Sequence, residues 1–145
     1  VHVIDISPDQ RLLDLQRAAY AVEAALIGDD RIPPLHEPLA DLLAAPLTWV
    51  GAFDGDALVG AVAWEADADT LDINRLVVSP SAFRRGIGRL LVATALDRAA
   101  GRTVLVSTGR DNTPARRLYE GYGFTWVNDA EVISGLWVSS YRLTP

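Results

Sequence analysis

Cysteine, methionine and lysine are all missing from this chain. Without cysteine there can be no disulfide, no thiolate metal site and no cysteine nucleophile. The basic residues are thirteen arginines, and the want of lysine needs no functional reading. Histidine is scarce too: His2 and His36 stand in no metal-ligand spacing, so no bound metal is expected. No serine lies in a G-x-S-x-G context, which removes the hydrolase elbow. No apolar run approaches the roughly 18 residues that cross a bilayer, and the N-terminus lacks the basic-then-apolar order of a secretion signal. Those two absences predict a cytoplasmic protein with no membrane partner.

What is present suits a domain of ordinary size. The 145 residues, 50% hydrophobic, suffice for one domain spanning 1–145 with a full core. A net charge of −6 argues against nucleic acid as a partner, because a phosphate backbone demands a basic footprint. Positive charge is nonetheless concentrated at Arg84, Arg85 and Arg89. Between Arg31 and Arg75 the only candidate cation is His36, against eight acids: Glu37, Asp41, Asp54, Asp56, Glu65, Asp67, Asp69 and Asp72. That asymmetry would suit an anionic ligand near one half and a cationic one near the other; solvated hairpin loops would produce it equally well.

Periodicity orders the rest. Val1 to Ile6 alternates like a strand, and Ser7-Pro8-Asp9-Gln10 has capping-box spacing with proline at the first helical position. Leu12, Leu15, Ala19, Val22 and Leu26 then mark one apolar helix face up to Gly28-Asp29-Asp30. Ile32 to Pro38 reads as a stiff loop, followed by a short helix from Pro38 to Ala45. Thr48–Phe53 and Leu58–Glu65 read as strands joined at Asp54-Gly55, and Thr70–Val78 pairs back after Ala66–Asp69. Gly88–Ala100 is helical, Thr103–Thr108 a buried-type strand, and Pro114–Tyr122 a helix capped by Gly123. Phe124–Val127 and Gly135–Leu143 close the chain as strands. The order β-α-α-β-β-β-α-β-α-β-β, with hairpins first and β-α-β units later, predicts an α/β fold of the mixed α+β kind. Its single twisted mixed sheet would carry helices on both faces.

Chemistry concentrates in two segments. In the first, the strand ending Leu76-Val77-Val78 leads through Ser79-Pro80 into Arg84-Arg85-Gly86-Ile87-Gly88-Arg89 and directly into a helix. Amides at a helix start, a glycine-opened turn and three guanidiniums make an anion cradle, best suited to a pyrophosphate. Neither the dinucleotide fingerprint nor the Walker pattern is present. In the second, Asn112-Thr113-Pro114-Ala115-Arg116-Arg117-Leu118-Tyr119 opens a helix with Ala115, Leu118, Tyr119 and Tyr122 on one face. Asn112 can satisfy its first amides or reach a ligand, and Tyr119 reads as a core tyrosine or as a proton donor.

The two segments in register resemble the GNAT superfamily of acetyl-CoA-dependent N-acyltransferases, clearly over residues 48–127. The family writes its first segment Q/R-x-x-G-x-G/A; Gly86 and Gly88 match the small residues, Arg84 and Arg85 fill the variable pair, and Phe83 replaces the usual Gln or Arg. The resemblance implies acetyl-CoA as co-substrate, held by Arg84, Arg85, Gly86, Ile87, Gly88 and Arg89 at its pyrophosphate. It also implies contacts from the backbones of Leu76, Val77 and Val78 and from Asn112, with the Tyr119 phenol aimed at the sulfur as general acid. Acetyl would pass directly to a primary amine, on a small molecule or a protein N-terminus. For the base, Asp72 acting through water is the expectation, since the glutamate used by ribosomal-protein alanine acetyltransferases would fall at Ser107. Family analogy draws the acceptor pocket from His36, Glu37, Asn74, Trp137 and Tyr141, and admits a homodimer. A non-catalytic acyl-CoA-binding or partner-binding module is the main alternative, and another nucleotide-phosphate enzyme a second.

Overall fold

Seven strands join in one sheet in the order β1-β2-β3-β4-β5-β7-β6, and the computed structural model describes all residues, 1–145. The elements are β1 (His2–Ile6), α1 (Gln10–Ile27), α2 (Leu39–Ala44), β2 (Thr48–Asp54), β3 (Ala57–Ala66), β4 (Thr70–Val78), α3 (Ile87–Ala99), β5 (Thr103–Gly109), α4 (Thr113–Gly121), β6 (Thr125–Ile133) and β7 (Leu136–Leu143). Short 3-10 turns occupy Pro33–His36 and Pro80–Ala82. Every pairing is antiparallel except β4 with β5, which α3 connects as a β-α-β crossover. The mixed sheet and the order of helices and strands are those the periodicity predicts.

Two cores lie on the two sides. Leu12 and Leu13 of α1 and Leu42 of α2 pack on Trp49, Ala61, Ala63 and Val77. On the other side, Ile87, Leu91, Val92 and Ala95 of α3 meet Val50, Val62, Leu71, Ile73 and Val104, and Tyr119 of α4 joins the same cluster. Gly60 makes the close seating of α3 feasible. A Cβ there would stand 2.7 Å from Ile87 Cγ2 and 2.9 Å from Leu91 Cδ1.

Three features differ from expectation. The first helix is capped by Asp9, whose carboxylate accepts from the Leu12 amide at 3.0 Å, so it begins two residues after Pro8. Its buried residues are Leu12, Leu13, Leu15, Gln16 and Tyr20, while Leu26 is 49% exposed. The apolar period thus placed Leu12 and Leu15 correctly on the buried face but missed Leu13, Gln16 and Tyr20. Finally, β6 continues to Ile133, well past Val127. Asn128, Asp129 and Glu131 are poor strand formers, and as an edge strand open on both faces β6 shows no hydrophobic alternation.

Candidate active site

The sheet is parted at its centre by one extra residue. In the β3–β4 ladder Ala63 faces Arg75 and Trp64 faces Ile73, so Asn74 has no partner and forms a bulge. On the other edge of β4 the parallel ladder with β5 stops at Ile73 and Val106. Beyond that point the two strands diverge. The Ser79 amide donates to Val59 O at 2.8 Å, so strand alternation turns Val77 toward β3 as well and leaves Leu76 and Val78 presenting N–H and C=O to the gap. Of the three predicted backbone contacts, Val77 is therefore withdrawn: β3 takes its backbone and the α1 core its side chain.

A cavity of about 90 Å³ fills the parting. Ile73, Asn74, Arg75 and Leu76 form one wall, Val106, Ser107 and Thr108 the facing one. Tyr20 and Glu23 of α1 and Asn112, Ala115 and Tyr119 of α4 complete it. A larger hollow of about 600 Å³ is lined only by the end of α1 and its turn, Ala24 to Arg31, and meets no strand.

Tyr119 is buried beside the rings of Phe124 and Tyr141, at centroid distances of 5.7 and 6.2 Å. Burial, and then the negative charge of Glu23, push its phenol above its ordinary range, so it remains protonated. Tyr20 is raised for the same two leading reasons. Asn112 caps α4, accepting from the Ala115 amide at 3.3 Å, and donates to Glu23 Oε1 at 3.2 Å.

At the start of α3 the backbone is free. Leu90 N–H bonds to Gly86 O, but the amides of Ile87, Gly88 and Arg89 find no protein acceptor and no side chain caps them. Three converging N–H groups at the positive end of a helix fit a phosphate group. Gly86 turns the chain here at φ 74°, and Arg84 is also left-handed at φ 64°. The arginines are not equivalent: Arg85 bonds Asp54 at 2.7 Å, Arg89 lies 5.3 Å from the Tyr122 ring centroid, and Arg84 has no ion-pair partner. Phe83 is exposed on this loop. Tyr122 ties α4 to α3 by donating to Arg89 O at 2.6 Å.

Several expected acceptor residues lie elsewhere. Tyr141 is buried, and its hydroxyl accepts from Arg116 Nε at 2.9 Å and donates to Glu120 at 3.0 Å, so it is part of the core. Trp137 lies under the Arg110 guanidinium. His36 bonds Asp30 O at 2.7 Å in the turn after α1. Glu37 is gripped by Arg75 through two bonds of 2.6 and 2.9 Å, and Gln16 Nε2 adds a third at 3.1 Å. Burial pushes its carboxyl up, but the Arg75 and Gln16 bonds outweigh that and hold it below the usual range. Asp72 faces Glu65 one step outside the cavity wall; burial, then the Glu65 charge, push its carboxyl up. Asn74 alone of the predicted acceptor residues borders the cavity. The acidic half is scattered: Asp54 lies at the arginine loop, and Asp67 caps the far turn through the amides of Asp69 and Thr70.

The sequence reading missed Tyr20 and Glu23. Gln16, Tyr20 and Glu23 follow one another at steps of four and three along α1, a polar line inside a helix judged only by its apolar period. That line lies over the parting.

A parted central strand pair, an uncapped helix start and a tyrosine helix beside them meet in one place. The acetyltransferase (GNAT) family model matches residues 10–124. The chain belongs to that family. Among curated relatives, the UPF0157 protein YqkA of Bacillus subtilis (strain 168) is 35% identical over 137 residues, 94% of this chain but 40% of that protein. The chain thus spans less than half the length of that relative. The N-alpha-acetyltransferase RimI of Mycobacterium tuberculosis is 34% identical over 119 residues, covering 79% of this chain and 74% of that one. In solved structures, the PaiA N-acetyltransferase of Thermoplasma acidophilum, in complex with coenzyme A, superposes with a TM-score of 0.77 over 98% of both chains at 17% identity. At that identity the likeness is one of GNAT fold.

Proposed function

We propose that this chain transfers an acetyl group from acetyl-CoA to a primary amine, directly and without an acyl-enzyme. The observation that carries the reading is the opening of β4 from β5 at Ile73, which leaves the Leu76 and Val78 backbone free beside the unpaired amides of α3, where a Cβ at Gly88 would stand 3.9 Å from Val78 Cγ2. Acetyl-CoA as substrate supplies the acetyl group as an activated thioester. Ile87, Gly88 and Arg89 amides would hold its pyrophosphate, with Arg84 as the nearest uncommitted guanidinium. The Leu76 and Val78 amides would polarise the acetyl carbonyl as an oxyanion hole. Tyr119, protonated and buried, would donate to the departing sulfur.

An amine acceptor is supported by the relative named N-alpha-acetyltransferase, and that name favours a protein or peptide N-terminus over other amines. Ser107, where a glutamate would serve in ribosomal-protein alanine acetyltransferases, borders the cavity but bonds Ser140 at 2.9 Å and cannot act as base.

The test is thermal unfolding with acetyl-CoA, then thiol release across a panel of primary amines and peptides. Acetyl-CoA at 100 times its dissociation constant should protect by about 2.7 kcal/mol. Protection without thiol release from any amine would leave an acyl-CoA-binding module; no protection at millimolar acetyl-CoA would overturn both.

A further inference from the structure

The cavity holds one carboxylate, and nothing in the chemistry described so far uses it. Glu23 lies on α1 and borders the parting opposite Tyr119. Its Oε1 is occupied, receiving Asn112 Nδ2 at 3.2 Å, Thr108 Oγ1 at 3.3 Å and the Gly109 amide at 3.4 Å. Those three bonds fix the carboxylate across the mouth of the gap between α1, β5 and α4. Its Oε2 has no hydrogen bond and no ion pair. The other formal charge on the cavity wall, Arg75, is neutralised by Glu37. Of the remaining polar side chains there, the hydroxyls of Tyr20 and Tyr119 have no protein partner. The cavity therefore presents one uncompensated anionic oxygen, two phenols and the unpaired carboxamide of Asn74.

We propose that Oε2 of Glu23 receives the acceptor's ammonium in this cavity and takes the proton shed by its nitrogen as the carbon–nitrogen bond forms. The assignment rests on the acetyltransferase reading above. Bonding of nitrogen to the acetyl carbon, with sulfur leaving on the electron pair of the C–S bond, requires nitrogen to lose protons and sulfur to gain one. An ammonium sheds two on becoming an amide. The first goes to water and leaves the nucleophilic amine; the second is far more acidic once nitrogen is bonded to carbon, which brings it within reach of a carboxylate. Glu23 holds that second proton. Tyr119 delivers its own proton to sulfur and is restored from Glu23 across the cavity, so both residues end as they began.

Two CoA thioethers of equal size read the ammonium site without any knowledge of the natural acceptor: S-(2-aminoethyl)-CoA and S-propyl-CoA. The wild-type protein should bind the aminoethyl compound roughly 10-fold tighter or more, as a charge-assisted hydrogen bond in a partly dry cavity provides. Glu23→Gln keeps the shape of the side chain and its Oε1 acceptor. It should bind S-propyl-CoA as before, with the preference for the ammonium reduced to about one. Equal binding of the two compounds by the wild-type protein overturns the proposal without recourse to any variant, and so does a preference that survives in Glu23→Gln. If acetyl-CoA and both thioethers fail to bind the wild-type protein, the acetyltransferase reading has fallen and this assignment with it.

Discussion

Tyr119 and Asp72 show how similar sequence signals separate once their surroundings are known. Tyr119 is held between two rings with its hydroxyl at the cavity, so Tyr119→Phe deletes a proton donor while keeping the packing. If that proton matters chiefly at the transition state, turnover should fall by about 10² to 10⁴-fold, nearer the lower end for a good leaving group, with acetyl-CoA affinity unchanged. Saturating-rate and binding measurements on the two proteins check this; unchanged turnover with acyl transfer rate-limiting returns Tyr119 to a packing role. Asp72 titrates higher in the folded protein than unfolded, because of burial and then Glu65. The folded state thus holds the proton more tightly and loses stability as pH rises through that window. Asp72→Asn should accordingly raise Tm at pH 7, and the gain should shrink toward zero as pH falls to about 4, the value of an unperturbed aspartate. A Tm difference that does not depend on pH would mean that Asp72 acts through something other than its charge.

Among the elements, α1 teaches most. Its inner face carries Gln16, which donates to Pro34 O at 2.9 Å and accepts from Arg75 at 3.0 Å, so the helix, the loop after it and the bulged strand are joined by one polar knot. Arg75 and Glu37 at its centre expose only 10% and 13% of their side chains. Glu37→Ala would leave the guanidinium buried and unpaired, at a cost of about 3–5 kcal/mol, or on the order of 10 °C in Tm. Glu37→Ala combined with Arg75→Met should recover most of that loss, which thermal melts of the single and double variants would show. This knot also explains where sequence reasoning reached and where it stopped. Strand alternation, the Asp54-Gly55 hairpin and the glycine after α4 are local signals, and local signals place elements. The polar line on α1 acquires meaning only when Arg75, 59 residues away from Gln16, comes to meet it. Likewise Tyr141 looked available because its sequence neighbours say nothing of Arg116 and Glu120, which occupy its hydroxyl.

At the scale of the molecule, the sheet consists of two halves held by a short parallel ladder. β1 to β4 form one half, β5, β7 and β6 the other, and only the pairings Thr70–Thr103 through Ile73–Val106 join them within the sheet. The bulge at Asn74 was not legible in the sequence, because Asp72-Ile73-Asn74-Arg75-Leu76 keeps a strand's composition while its side chains change faces. A ligand lying in the parting would bridge the halves where backbone groups are unpaired, and hydrogen exchange reports that residue by residue. In the free protein the amides of Leu76, Val78, Ile87, Gly88 and Arg89 should exchange quickly, having no acceptor, while Val77, bonded toward β3, should be slow. With saturating acetyl-CoA the first group should slow markedly. Val77 is already closed by its ladder bond, so it should change only by the general stabilisation that ligand binding confers, about 2.7 kcal/mol at 100 times the dissociation constant. The alternation between neighbours is the decisive signature: a uniform slowing of Leu76, Val77 and Val78 would mean that the cofactor tightens the fold without lying along β4, and the groove would have to be sought on another face of the sheet.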